Sequence, residues 1–299
     1  MRLATTTSDF SAYTHNNLEA IEYIKKSGFK YVDYNFGMDC NNKTGFFGED
    51  TQYLEKLKAK IKELDVRLVQ SHAPFCSLMF EKDINPLIED TVKCVRACAD
   101  LDIPTLVVHA GYGHYISKEE NFRKNKEFFL PILEAAAKYG VKILAENFNK
   151  MEFDDIYWID NATDLKAFIE YVDHPNLYAV WDTGHANLQE MSQRDELIKL
   201  GNYVKALHIH DNLGNDDTHN APFFGTMCID SVMQGLIDIG YDGYFTFEAE
   251  NIFFPFKYRR TCTEDIRLKK APLELRIRAE AFLYDIGKTI LKAYDCFEE

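Results

Sequence analysis

Four side chains able to hold a divalent cation close four apolar runs of this chain. Glu146 ends KILAE, Asp182 ends LYAVWD, His208 stands in VKALHIHD and Glu248 in YFTFEAE. Val, Ile, Leu and aromatic residues fill these runs, so each reads as a buried strand with a polar residue where the strand should stop. Three carboxylates and one imidazole form a donor set for one divalent metal. Buried carboxylates are costly unless neutralised, so several of them converging on one point call for a cation. They lie far apart in sequence, and only a fold that collects strand ends in one place unites them.

Further polar residues share the same habit. His72 closes RLVQSH, His109 closes TLVVH, His185 follows Asp182 in WDTGH, and Asp217 and His219 follow His208 in DTH. Seven of the nine histidines stand at or just after a predicted strand end. One such histidine is ordinarily a hydrogen-bonded core residue; the joint pattern is what points to a site.

The elements that must position these residues follow from hydrophobic patterning. Strands are predicted at 2–6, 30–34, 67–72, 105–109, 142–146, 177–182, 204–210 and 244–248. Helical periodicity falls between them, near 15–27, 49–64, 83–101, 119–139, 161–173, 190–200 and 230–239, with a last helix near 270–294. Tyr53, Leu54, Leu57 and Ile61 mark one helical face. Asn161 and Ser231 are expected helix starts, and Gly28, Gly140 and Gly240 expected helix stops. Eight βα units in alternation predict one (β/α)8 TIM barrel domain over residues 1–299. A doubly wound sheet is the alternative, but no GxGxxG follows the first strand. In such a barrel the functional residues stand at the C-terminal strand ends. There the long segments 34–48, 147–160 and 251–274 carry many aromatic residues, which either cap the barrel or make a subunit contact.

Composition excludes several function classes. A net charge of -14 over 299 residues, with no long Lys/Arg run, opposes a phosphate backbone, so no nucleic acid partner is expected. No stretch of 18 apolar residues exists, so no membrane span is expected. The seven cysteines lack CxxC spacing, and with no export signal they fit a reducing cytoplasm. Cys94 and Cys98 are expected to pack in the core.

The segments SHAPF, HAG, ENF, WDTGHANL, LHIHDN, DTH and FE, in that order over nearly the whole chain, resemble the xylose-isomerase-like barrel superfamily. It includes sugar phosphate isomerases/epimerases, ketose 3-epimerases, inosose-processing enzymes and endonuclease IV. The resemblance implies a metal site at Glu146, Asp182, His208 and Glu248. It also implies that Glu146 and Glu248 act as an acid/base pair, exchanging a proton with substrate carbon through a cis-enediolate, while the metal acts as a Lewis acid. His185 is then a substrate contact, with His72 and His109 lining the same mouth. Asp217 and His219 either orient substrate hydroxyls as a pair or hold a second metal with His185. Mn²⁺ is the first expectation; Mg²⁺, Co²⁺ or Zn²⁺ also suit such donors.

The activity so implied is a metal-dependent sugar or polyol isomerase or epimerase, acting on a small molecule. A lyase or dehydratase on a keto-sugar or glycoside shares the first step. An endonuclease IV-like enzyme would find its nine ligands at the residues named above, but the acidic charge opposes it. A sugar-binding accessory subunit would need a broken site, and every expected residue is present. The family also implies a homo-oligomer. Two departures stand out. Ketose 3-epimerases place an arginine shortly after the strand-seven histidine, whereas DNLGNDDTHN has none, and Gly225-Thr226-Met227 keeps only the first glycine of a Gly-x-Gly. No P-loop is present; Lys257, Arg259 and Arg260 could meet a substrate anion or form a solvated loop.

Overall fold

The computed structural model describes residues 1–75, 83–113, 116–149, 157–189, 191–253 and 270–299. Eight strands form the centre: β1 (Arg2–Thr6), β2 (Tyr31–Asn35), β3 (Arg67–His72), β4 (Thr105–Val108), β5 (Lys142–Glu146), β6 (Leu177–Asp182), β7 (Val204–His208) and β8 (Tyr244–Phe247). Among the described residues the helices are α1 (Asn17–Lys26), α2 (Phe36–Asn42), α3 (Tyr53–Leu64), α4 (Asn85–Asp100), α5 (Lys118–Tyr139), α6 (Ala162–Val172), α7 (Thr183–Asn187), α8 (Gln193–Leu200), α9 (Ile229–Asp238) and α10 (Leu273–Ala293).

The strands pair in parallel in the order β7-β6-β5-β4-β3-β2-β1-β8. Closure comes just past β7: Ile209 N donates to Thr246 O at 2.8 Å, and Glu248 N donates to Ile209 O at 3.1 Å. The sheet is thus the expected (β/α)8 barrel. The strands are buried toward both the interior and the helices, which is why they appear in sequence as continuous apolar runs.

Local chemistry sets the helix ends. The Asn161 side chain accepts from Asp164 N at 2.9 Å and opens α6. Gly28, Gly140 and Gly240 all have positive φ, as expected between a helix and the next strand. Ser231 does not start α9, which begins at Ile229 behind Cys228. Its hydroxyl instead accepts from Arg194 N at 3.0 Å, so it serves α8 rather than its own helix.

Two segments that hydrophobic periodicity leaves as loops contain short helices. Asn35 caps α2 by accepting from Met38 N at 3.1 Å. Asp182 caps α7 by accepting from His185 N at 2.7 Å. Cys94, Cys98 and Met227 are buried in the core, so Met227 packs rather than lining the mouth. His114, Phe153, Phe254, Pro255, Phe256, Lys257, Arg259 and Arg260 lie outside the described residues. Among those described, no helix is long and apolar enough to cross a membrane.

Candidate active site at the barrel mouth

Strand alternation builds the site from the bottom. Val107, Leu144, Val180 and Ala206 pack together inside the barrel. Two residues further along, on the same face of each strand, come His109, Glu146, Asp182 and His208. An apolar plug in the barrel interior therefore supports a polar layer at the strand ends, and that layer is buried: Glu146 is 1% exposed and Asp182 and His208 are 0% exposed.

Parallel register sets Asp182 beside His208 and Glu146 beside Val180. His208 Nδ1 lies 2.8 Å from Glu146 Oε1, 3.5 Å from Glu248 Oε2 and 3.9 Å from Asp182 Oδ2. One donor atom from each of the four falls within 4.8 Å of all the others. Ligand bonds of about 2.0–2.2 Å place neighbouring donors roughly 3 Å apart, and the three separations from His208 Nδ1, 2.8 to 3.9 Å, lie near that spacing. Glu146 Oε2 is buried without a well-aligned hydrogen bond, its nearest donors being His109 Nε2 at 3.1 Å and His72 Nε2 at 3.6 Å, and a cation would complete its coordination. The residues present fit a divalent metal.

Two further sets adjoin this one. His72 Nε2 and His109 Nε2 lie 3.0 Å apart, at 3.6 and 3.1 Å from Glu146 Oε2. On the other side, Asp217 Oδ2 lies 3.0 Å from His185 Nε2 and 3.4 Å from His219 Nε2. With His210 these residues form another group whose donor atoms lie within 4.8 Å of one another. All nine residues expected from sequence thus gather at one mouth.

Electrostatics separates the two glutamates. Burial would raise the Glu146 carboxyl, but the His208 and His109 imidazoles outweigh it and hold it well below the usual range. Burial dominates at Glu248 and raises it against the pull of His208 and His219. The histidines divide as well. Burial pushes His109 down to about 3. At His185 burial is outweighed by Asp182 and Asp217, which lift it to about 10.

Two site residues, Glu250 and Asp33, escaped the sequence reading, and a third, His210, was read only as one of the strand-end histidines. His210 Nε2 lies 2.9 Å from Asp182 Oδ1, and its ring stacks on His219 at 3.8 Å and 5°. Glu250 Oε2 lies 3.4 Å from His219 Nδ1. Asp33 Oδ2 lies 3.4 Å from His208 Nε2. Strand periodicity holds the signal for His210 and Glu250, which stand two residues beyond His208 and Glu248. For Asp33 the signal is an acid in the middle of the apolar run YVDYN.

Above the polar layer opens a cavity of about 470 Å³, lined by Glu146, Glu248, His185, Asp217 and His219 among others. Phe75 and Phe148 contribute stacked rings 5.9 Å apart, while Ser8, Ser11, Asn35 and Asn41 contribute hydroxyl and amide groups. Apolar faces together with many small hydrogen-bonding groups suit a polyhydroxylated small molecule.

The family described as xylose isomerase-like TIM barrel matches residues 21–261. An uncharacterised protein of Methanocaldococcus jannaschii is 30% identical over 253 residues, covering 77% of this chain and 80% of that protein. Fructoselysine 3-epimerase of Escherichia coli O157:H7 is 28% identical over 165 residues, which are 54% of this chain and 59% of that enzyme. The crystal structure of a D-tagatose 3-epimerase-like protein superimposes with a TM-score of 0.75 at 23% identity, covering 99% of this chain and 98% of that one. At that identity the likeness is one of fold.

Proposed function

The chain belongs to the xylose isomerase-like TIM barrel family, and we propose that it is a metal-dependent isomerase or epimerase of a sugar or polyol. One observation carries the reading: donor atoms of Glu146, Asp182, His208 and Glu248 converge within 4.8 Å beneath a cavity sized for a monosaccharide. The matched 3-epimerase supports the same reaction class.

Glu146, Asp182, His208 and Glu248 would hold the cation, with Mn²⁺ favoured by three oxygen-donor residues against one nitrogen. Bound there, it would supply Lewis acidity beside a substrate carbonyl and so acidify the adjacent C–H bond. Glu146 comes from the end of β5 and Glu248 from just past β8, so the two carboxylates reach a substrate carbon from different sides. One removes the proton and the other returns one to the resulting enediolate. Return from the opposite side inverts the centre. His185 holds the Asp217 carboxylate at 3.0 Å through Nε2 while its Nδ1 meets Asn147 O at 2.9 Å, so that Asp217 would accept from substrate hydroxyls. Phe75 and Phe148 pack at the mouth beside His109 and would present apolar faces to the substrate.

Among the described residues lining the cavity there is no Lys or Arg, so the substrate panel includes both uncharged and phosphorylated sugars. The direct experiment supplies purified protein with Mn²⁺ and a panel of ketoses, keto-inositols and sugar phosphates in deuterated water. Metal-dependent exchange of the α-hydrogen is expected, with product mass otherwise unchanged. Loss of mass by elimination would reassign the protein as a lyase, and no exchange on any substrate would remove the proposal.

A second reading has its own observation. The two flanking His/carboxylate sets would suit a polynuclear site for phosphodiester cleavage. The net charge of -14 works against docking a duplex. Nicking of an abasic DNA duplex, with no sugar turned over, is the result that would favour it.

A further inference from the structure

Below the four candidate ligands lies a second polar layer that the proposed reaction does not itself use. Asp33 stands in the middle of β2 and is 1% exposed, yet it bears a carboxylate. Its Oδ2 accepts from Gln70 Nε2 at 2.8 Å, and Gln70 Oε1 accepts from Thr246 Oγ1 at 3.4 Å. The remaining contact is with His208: Nε2 lies 3.4 Å from the same Oδ2 and has no hydrogen-bond partner. Four strands thus place one carboxylate directly behind the imidazole, on the side away from Glu146, Asp182 and Glu248.

We propose that Asp33 is a positioning residue that selects the His208 tautomer able to bind metal. The inference rests on the metal reading above. The Nδ1 atom of His208 faces the three carboxylates. A neutral imidazole ligates through a nitrogen that bears no proton, and the other nitrogen then carries the hydrogen. With Nδ1 turned to the ion, the hydrogen is on Nε2 and needs an acceptor in the buried interior. Asp33 Oδ2 stands a few tenths of an ångström outside hydrogen-bond range of it. Gln70 in turn fixes the Asp33 carboxylate, with its amide also 3.4 Å from Leu207 O. The geometry accounts for an acid buried where an apolar residue would otherwise continue the interior plug. A buried carboxylate is retained there because the histidine opposite must present one nitrogen and not the other.

The test compares Asp33→Leu with Asp33→Asn in the full chain. Leu is of similar size and removes the acceptor; Asn keeps an oxygen where Gln70 and His208 need one. Calorimetric titration with Mn²⁺ alone is expected to show a 10–100-fold loss of affinity in Asp33→Leu, most of it restored in Asp33→Asn. Thermal unfolding of the metal-free proteins serves as the fold control. A purely structural role predicts loss of thermal stability without that ordering of affinities.

Nitrogen-15 spectra of the histidines in Zn²⁺-loaded wild type give a readout that needs no variant. The His208 Nε2–H is expected as a downfield, slowly exchanging signal, and metal on Nε2 with the hydrogen on Nδ1 would overturn the proposal. So would a folded Asp33→Leu that binds Mn²⁺ as tightly as wild type. Wild type that binds neither ion would remove the metal reading, and this inference with it.

Discussion

Glu146 and Glu248 show how one side chain acquires two characters. Glu146 lies between His208 and His109, and its carboxyl is held low despite complete burial, chiefly by His208. Glu248 is 14% exposed at its side chain, and burial governs its carboxyl. Glu248→Gln keeps the shape and a donor oxygen but cannot carry a proton. At saturating Mn²⁺ its rate of α-hydrogen exchange is expected to fall about 10²–10⁴-fold, the usual worth of a positioned acid or base. A variant that needs more Mn²⁺ but then exchanges at the wild-type rate would leave Glu248 a ligand only. The identities of these glutamates were readable in the sequence, because each follows an apolar run. Their difference was not, since it comes from histidines on other strands.

At the next level, the segments after the strands matter as much as the strands. Residues 36–48 bring Gly37, Met38 and Asn41 to the cavity, and one buried acid holds them. Asp39 accepts from Tyr34 Oη at 2.5 Å and from Asn17 Nδ2 at 2.9 Å. Gly45 packs so closely that a Cβ there would collide with the Asp39 carboxylate. Burial raises the Asp39 carboxyl from its ordinary 3.8 to about 6, against hydrogen bonds from Tyr34 and Asn17. A folded-state value above the unfolded one means the folded protein holds the proton longer. The associated stability is complete below about pH 4, declines as pH rises, and is gone above about pH 6. Two units correspond to about 3 kcal/mol. Urea unfolding at pH 4 and pH 7 is expected to show this decline in wild type and a smaller one in Asp39→Asn. Identical pH dependence in both proteins would refute the assignment. Helices α2 and α7 were hidden from periodicity because each is too short for an apolar face to repeat. Their caps, Asn35 and Asp182, were visible in sequence only as polar residues at strand ends.

For the molecule as a whole, a ligand set drawn from β5, β6, β7 and the residue following β8 should join local occupancy to global stability. Mn²⁺ at about 100 times its Kd is expected to add about 2.7 kcal/mol, raising Tm by several degrees, with EDTA reversing the shift. An unchanged Tm would argue against an ion spanning those strands. The barrel itself was legible from composition and pattern. Parallel strands covered on both sides must be continuous apolar runs, and the helices between them must repeat every three to four residues; both signals are local. Which polar side chains meet was a matter of three dimensions. Closure through Ile209 brings Glu248 against His208, register puts Asp182 beside it, and the interior stacking places Asp33 behind it. Distances between residues remote in the chain depend on barrel closure and register together, so the tertiary structure alone could decide that these acids and histidines share one small volume.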